Sequence, residues 1–332
     1  MKKFLLSVGV VALESYQTRN FVAAVLMGLM TGCTTLNPVR SFEQQMMFHP
    51  RGVDAVPESK AGMESIRIQV TDNEQIHALY FDHPDPRAVV IYCHGNAGNI
   101  VDRIPRLSRM RDTYQIAILG FDYRGYGASD GVPSESNMYQ DARAARNWLA
   151  ERRHFNPNEV VVMGRSLGGA VAVELAVNGG AAGLILESTF TRMEDVGGHH
   201  FPWLPVSLMV SQEFDSISRI GRFSGPLLQT HGTRDKVVPF ELGNRLFEAA
   251  KHADKAFVTT SGGHNDLPGR SWELQLDDFF SRSHSEGQAK MSEAVQDEFD
   301  CLSQTGSLRG VLSDDRTAGD GTNRRMAASK NR

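Results

Sequence analysis

From residue 88 onward the chain alternates short apolar runs with helical patterns, and that succession leaves few folds open. The runs are "AVVIYC" (88–93), "IAILGF" (116–121), "EVVVMG" (159–164), "GLILES" (183–188), "GPLLQT" (225–230) and "KAFVTT" (255–260). Between and after them lie helical patterns over 99–111, 137–151, 167–177, 240–251 and 271–282. A strand with one wet face alternates apolar and polar residues, and these runs do not. They read as strands covered on both faces, which predicts an α/β fold with a mostly parallel central sheet flanked by helices. Upstream, "SIRIQV" (65–70) does alternate, and "IHALYF" (76–81) is strand-like. Asp72 and Asn73 supply a turn between them, so a hairpin at the sheet edge is expected. These elements make one domain over 61–283. The long connection 189–224 is too rich in aromatic and aliphatic residues for a solvated loop and predicts a short helical lid.

The ends of the chain read differently. Lys2 and Lys3 precede an apolar run, 4–13; a polar break, 14–20, and a second apolar run, 21–31, lead into "LMTGC" (29–33). A positive start, a short apolar core and small residues before a cut site predict a signal peptide over 1–32. Neither run reaches the roughly 18 to 20 residues a membrane-crossing helix needs. "LMTGC" resembles a bacterial lipoprotein lipobox, which implies lipid on Cys33. By the same resemblance, Thr34 rather than an aspartate implies the outer membrane, facing the periplasm. Residues 33–60 read as a linker from that anchor. Residues 284–332 are polar, with few large apolar side chains to offset the entropy of ordering, and predict a disordered tail. A net charge of -4 and the lack of basic blocks argue against nucleic acid as a partner. Cys93 reads as a buried thiol and Cys301 is remote, so no zinc or disulfide spacing arises.

One run carries chemistry. In "MGRSLGG" (163–169) Ser166 stands between Gly164 and Gly168, at the change from strand to helix. The G-x-S-x-G pattern fits a nucleophile on a strained turn, or an ordinary small turn residue. A nucleophilic serine needs a base, and the base needs an orienting acid. "HGTRDKVVP" (231–239) places Asp235 after one apolar strand, and "SGGHNDLPG" (261–269) places His264 after the next. Parallel strands deliver both loops to one edge of the sheet, so Ser166, Asp235 and His264 are the expected catalytic triad. Asp235 could instead cap the helix near 240, and Glu187 or Asp215 could serve as a displaced acid. Asp266 is poorly placed to orient His264. His231 is expected to fasten the acid loop. For the oxyanion hole, the Leu167 N–H at the start of the helix is one donor. The other is expected from "YCHGNAGN" (92–99), as the Asn96 N–H or that of Ala97, with His94 holding the loop.

Taken together, "HGNAGN", "FDYRGYGAS" (121–129), "GRSLGG", "HGTRDKVVP" and "GGHND" resemble the α/β-hydrolase family. More narrowly they resemble its Bem46-like subgroup of ABHD13- and ABHD17-like serine hydrolases. The similarity spans about 65–282 and includes the lid stretch "HHFPWLPVSLMVSQEFDSISRI" (199–220). It implies hydrolysis of carboxylic esters or thioesters, palmitoyl thioesters among them, with no metal or organic cofactor. Asp122 and Arg124 are expected to be structural. The lid residues Phe201, Trp203, Leu204, Leu208 and Met209 are candidates for an acyl pocket or for lid packing. The expected partners are a small-molecule or lipid-like ester or thioester, and the membrane through the N-terminal lipid. An amidase or peptidase of the same fold is the alternative, and a non-catalytic envelope binding protein the next.

Overall fold

The computed structural model describes residues 47–282 except 155, 204 and 209. The expected signal peptide, Cys33 and the polar tail lie outside the described residues. Eight strands form one sheet: β1 Glu64–Thr71, β2 Glu74–Phe81, β3 Val89–Cys93, β4 Ala117–Phe121, β5 Val161–Arg165, β6 Gly183–Glu187, β7 Leu227–Gly232 and β8 Lys255–Thr260. Their spatial order is β1-β2-β4-β3-β5-β6-β7-β8. Strands β3 to β8 pair in parallel, and β2 runs antiparallel to both β1 and β4.

The helices are α1 Ile104–Tyr114, α2 Glu135–Arg153, α3 Leu167–Gly179, α4 Met193–His200, α5 Ile217–Ile220, α6 Phe240–Ala249 and α7 over 270–282. Every residue of β3, β4 and β6 is buried because both sheet faces are covered. Val89, Ile91 and Cys93 of β3 face one core with α2, α3 and α6, while Val90 and Tyr92 face the other with α1 and α7. The outer strand β1 keeps Arg67 and Gln69 exposed, which blunts the open edge. Helix α2 is capped by the Ser134 hydroxyl, which accepts from the Asn137 N–H at 3.2 Å.

One boundary differs from expectation. The linker does not run to residue 60, because residues 47–52 are already part of the domain. Phe48 is 2% exposed and meets the Phe214 ring edge-on at 6.3 Å. His49–Pro50 pairs in parallel with Ala97–Gly98. This segment carries no periodicity that a sequence reading would detect, since its bonds go to loop residues rather than to a long ladder.

The connection expected to form a lid holds α4, a turn of 3₁₀ helix at Val206–Leu208, and α5. Buried Phe190, Phe214, Ile220 and Phe223 fasten it to the domain. Phe201 and Trp203 do not, being 41% and 62% exposed. Leu204, Met209 and the side chain of Leu208 lie outside the described residues. Among the described residues no helix is long and apolar enough to cross a membrane.

Candidate active site

Strand β5 ends at Arg165 and α3 begins at Leu167, so Ser166 alone makes the reversal. Its backbone takes φ 53° and ψ -122°, a region that costs a non-glycine residue about 1–3 kcal/mol. The surroundings hold it there. The Ser166 N–H donates to the Glu187 carbonyl at 2.9 Å, and the Ser166 carbonyl accepts from the Gly169 N–H and the Thr189 hydroxyl, both at 2.8 Å. The flanking glycines are steric requirements. A Cβ on Gly164 would strike the Gly168 carbonyl, and one on Gly168 would strike the carbonyls of Cys93 and His94. The second contact is what lets the loop after β3 lie against the serine.

Asp235, in the loop after β7, and His264, in the loop after β8, meet at this edge. His264 Nδ1 lies 2.7 Å from Asp235 Oδ2, and His264 Nε2 lies 3.1 Å from Ser166 Oγ. Burial pushes the Asp235 carboxyl up. Hydrogen bonds from His231 and His264, the charge of His264 and the Val238 N–H outweigh that and hold it well below the usual carboxylate range. An ionised carboxylate only accepts, so the proton sits on His264 Nδ1. Nε2 is then the acceptor for the serine hydroxyl.

Asp235 also braces its own loop, since Oδ1 accepts from the Val237 and Val238 N–H groups at 2.8 and 2.9 Å. His231 holds the loop from behind, with Nε2 3.0 Å from the Val238 carbonyl and 3.3 Å from Asp235 Oδ2. The other nearby acids are engaged elsewhere. Glu187 receives Arg106 at 2.6 and 2.7 Å and the Trp272 indole at 3.1 Å. Asp215 pairs with Arg192 at 2.9 Å. Asp266 accepts from the Gly263 N–H at 2.8 Å and so closes the histidine loop.

The loop after β3, residues 94–99, is fixed from within. Fully buried His94 stands 3.3 Å from Asp122 Oδ1 through Nε2 and 2.7 Å from the Gly95 carbonyl through Nδ1. The Tyr123 hydroxyl donates to the His94 carbonyl at 3.0 Å. Asp122 is also buried, which pushes its carboxyl up, but His77, His94 and the Ile100 N–H outweigh that and lower it. Arg124 is bound to Asp141, Glu74, Gln140 and the Asn137 carbonyl, and so is structural. A Cβ on Gly95 would lie 3.4 Å from the Ser166 Cβ, which places the start of this loop beside Ser166. Leu167 opens α3, so its N–H has no acceptor within the helix.

One residue here has a role that the sequence did not indicate. The Arg165 guanidinium donates to the His264 carbonyl and reaches Asn265 Oδ1 at 3.3 Å. It ties the loop of His264 to the turn at Ser166. The partner is a backbone oxygen 99 residues away, which no local pattern announces. Arg165→Met should lower kcat about tenfold, the effect of a 1.4 kcal/mol rise in barrier, and Arg165→Lys should recover part of it. Steady-state kinetics on the two variants checks this; equal rates in wild type and Met variant would remove the role.

The geometry agrees with the comparisons to known proteins. The family described as serine aminopeptidase, S33 matches residues 84–214. An uncharacterized protein of Mycobacterium tuberculosis (strain CDC 1551 / Oshkosh) is 34% identical over 252 residues, covering 74% of this chain and 88% of that protein. Human α/β-hydrolase domain-containing protein 17B is 32% identical over 211 residues, covering 63% of this chain and 71% of that protein. The chain belongs to the α/β-hydrolase family. Among solved structures, an esterase of Pyrococcus furiosus superposes with a TM-score of 0.60 at 19% identity, over 71% of this chain and 98% of that one. At that identity the likeness concerns the fold alone. The α/β-hydrolase sheet order explains why Ser166, Asp235 and His264 meet, since β5, β7 and β8 are parallel and end at the same edge. Among the described residues no group of His, Cys, Asp and Glu is arranged to hold a metal ion.

Proposed function

We propose that this α/β-hydrolase is a serine hydrolase that cleaves carboxylic esters or thioesters through an acyl-enzyme on Ser166. The observation that carries the reading is the continuous relay Asp235–His264–Ser166, with spacings of 2.7 and 3.1 Å. In this mechanism His264 takes the hydroxyl proton as Ser166 Oγ attacks the carbonyl carbon. Asp235 holds the imidazole in its tautomer and stabilises the charged form. The Leu167 and Asn96 N–H groups receive the developing oxyanion. His264 then gives its proton to the leaving alcohol or thiol. A water, deprotonated by the same imidazole, releases the acid and frees the serine.

The test is intact-mass analysis before and after a fluorophosphonate, with Ser166→Ala as control. One adduct on the wild type and none on the variant is expected. No adduct on folded wild type would sink the reading.

An apolar acyl substrate is the finer proposal. Its support is the aromatic pair Phe201 and Trp203, with ring centroids 6.5 Å apart, on the lid beside the acid loop, where His200 Nε2 meets the Val237 carbonyl at 2.9 Å. Turnover of medium-chain esters above short-chain ones supports it, and the reverse preference overturns it. The family description favours a second reading, amide hydrolysis by the same triad. Side-by-side turnover of a matched ester and amide separates the two. Tethering to the outer membrane through lipid on Cys33 is part of the proposal, supported by the lipobox-like "LMTGC". The untreated mass spectrum of exported protein tests it.

A further inference from the structure

The oxyanion loop is held from its inner side by His94, and a second set of bonds holds it from outside. We propose that residues 47–52 form a strap that positions this loop for catalysis, with the Asn96 side chain as its fastening point. The proposal rests on the serine-hydrolase reading above. Asn96 then acts twice: its backbone N–H is the oxyanion donor, and its side chain is a positioning group that never meets substrate.

The Asn96 amide is committed to the strap and its neighbour. Nδ2 donates to the Met47 carbonyl at 2.6 Å. Oδ1 accepts from the His49 N–H at 3.2 Å and from the Tyr126 hydroxyl at 2.7 Å. An amide oxygen has two lone pairs, so its accepting capacity is used up. The parallel pairing His49 to Ala97 and Pro50 to Gly98 continues the attachment along the loop. At the far end, Asn99 Nδ2 donates to the Arg51 and Gly52 carbonyls at 3.2 and 3.1 Å, and the Gly127 N–H donates to the Arg51 carbonyl at 3.1 Å. The Arg51 guanidinium pairs with Asp102, whose Oδ2 also accepts from the Asn99 N–H at 3.2 Å.

The strap is itself fixed at its start. Buried Phe48 packs edge-on against Phe214, which in turn meets Tyr139 at 5.9 Å. Phe214 belongs to the lid connection, so one aromatic row joins strap, lid and α2. Two asparagines spaced three apart therefore face a six-residue segment, and both spend their side chains on its backbone. Simple packing of an N-terminal segment does not require that. A loop whose first glycine would bring a Cβ to 3.4 Å from Ser166 Cβ transmits small displacements directly to the donor. Loss of one oxyanion donor costs about 10²–10³ in kcat in a comparable site, so even partial misplacement is measurable.

The experiment uses the full chain with Asn96→Ala, Phe48→Ala and the double variant, each checked for folding by melting. Asn96→Ala keeps the backbone N–H but releases the strap. It should lower kcat by about 10- to 100-fold, a partial loss of one donor, and leave KM within about threefold. Phe48→Ala should lower kcat too, and the double variant should lose no more than Asn96→Ala alone, because both act through one element. Unchanged kcat in folded Asn96→Ala, or losses that simply multiply, overturns the strap. Should Asn96→Ala not fold, Tyr126→Phe removes one bond without changing volume; a kcat loss of several-fold supports the strap and an unchanged kcat overturns it. Wild type that takes no fluorophosphonate adduct overturns the serine-hydrolase reading and the strap with it. Wild type that takes the adduct while the variants turn over normally overturns the strap alone.

Discussion

Ser166→Ala is expected to reduce ester turnover by about 10⁶-fold in kcat while the protein stays folded, the scale seen when a triad nucleophile is removed. The loss is that large because the remaining members have no substitute task. Without the hydroxyl, His264 Nε2 has no proton to take at 3.1 Å, and Asp235 orients a base that acts on nothing. Any residual rate would come from the oxyanion donors and from binding alone, about 10³–10⁴ over water in comparable sites. The fold should tolerate the change, because the backbone bonds that hold the turn do not involve the hydroxyl. The Ser166 N–H still meets the Glu187 carbonyl, and its carbonyl still meets Gly169 and Thr189. The measurement is steady-state hydrolysis of an activated ester beside a melting curve. Retained turnover at a tenth of wild type or more would mean that another group performs the attack.

The parallel strands were legible in the sequence for a physical reason. A strand buried on both faces is mostly apolar, so β3 to β6 stand out as short apolar runs, and β7 does so through Leu227 and Leu228 before its buried Gln229, Thr230 and His231. The meeting of Ser166, Asp235 and His264 at one edge followed from them. Once β7 and β8 are located, the loops after them have a known edge, and each holds an acid or a histidine that fits. Bonds between side chains and distant backbone were not legible. Arg165 looks like any surface arginine until its partner, the His264 carbonyl, is seen. The segment "MFHPRG" (47–52) is too short and aperiodic to announce that it belongs to the domain. Its one signal was Phe48, a large apolar residue inside a stretch otherwise read as linker. The lid shows the opposite failure. Its aromatic content correctly suggested structure, but composition does not say which rings face inward. Phe190, Phe214 and Phe223 do, while Phe201 and Trp203 face out.

Asp235→Asn should cost about 10⁴-fold in kcat at neutral pH, with little change in geometry, as expected when the orienting acid of such a triad becomes an amide. The cause is the proton position. An asparagine that keeps its oxygen toward the Val237 and Val238 N–H groups must present its NH₂ to His264 Nδ1. That forces the imidazole proton onto Nε2, where it faces the Ser166 hydroxyl and cannot accept from it. The same NH₂ also opposes His231 Nε2, which sits 3.3 Å from Asp235 Oδ2 in the wild type. One buried donor is then left without an acceptor, at about 1–3 kcal/mol in stability. The pH dependence has a definite sign. The Asp235 carboxyl titrates well below its usual range in the folded protein. The unfolded chain therefore binds more protons there, and the stability that Asp235 contributes is present above the unfolded-state value, about 3.9. It is lost progressively as the pH falls below that. The stability gap between wild type and Asp235→Asn should thus be full at pH 7 and narrower at about pH 3. Denaturant midpoints of both proteins at the two pH values measure it. A gap of equal width at both would mean that the carboxylate charge does not hold this loop, and that the lost activity has another origin.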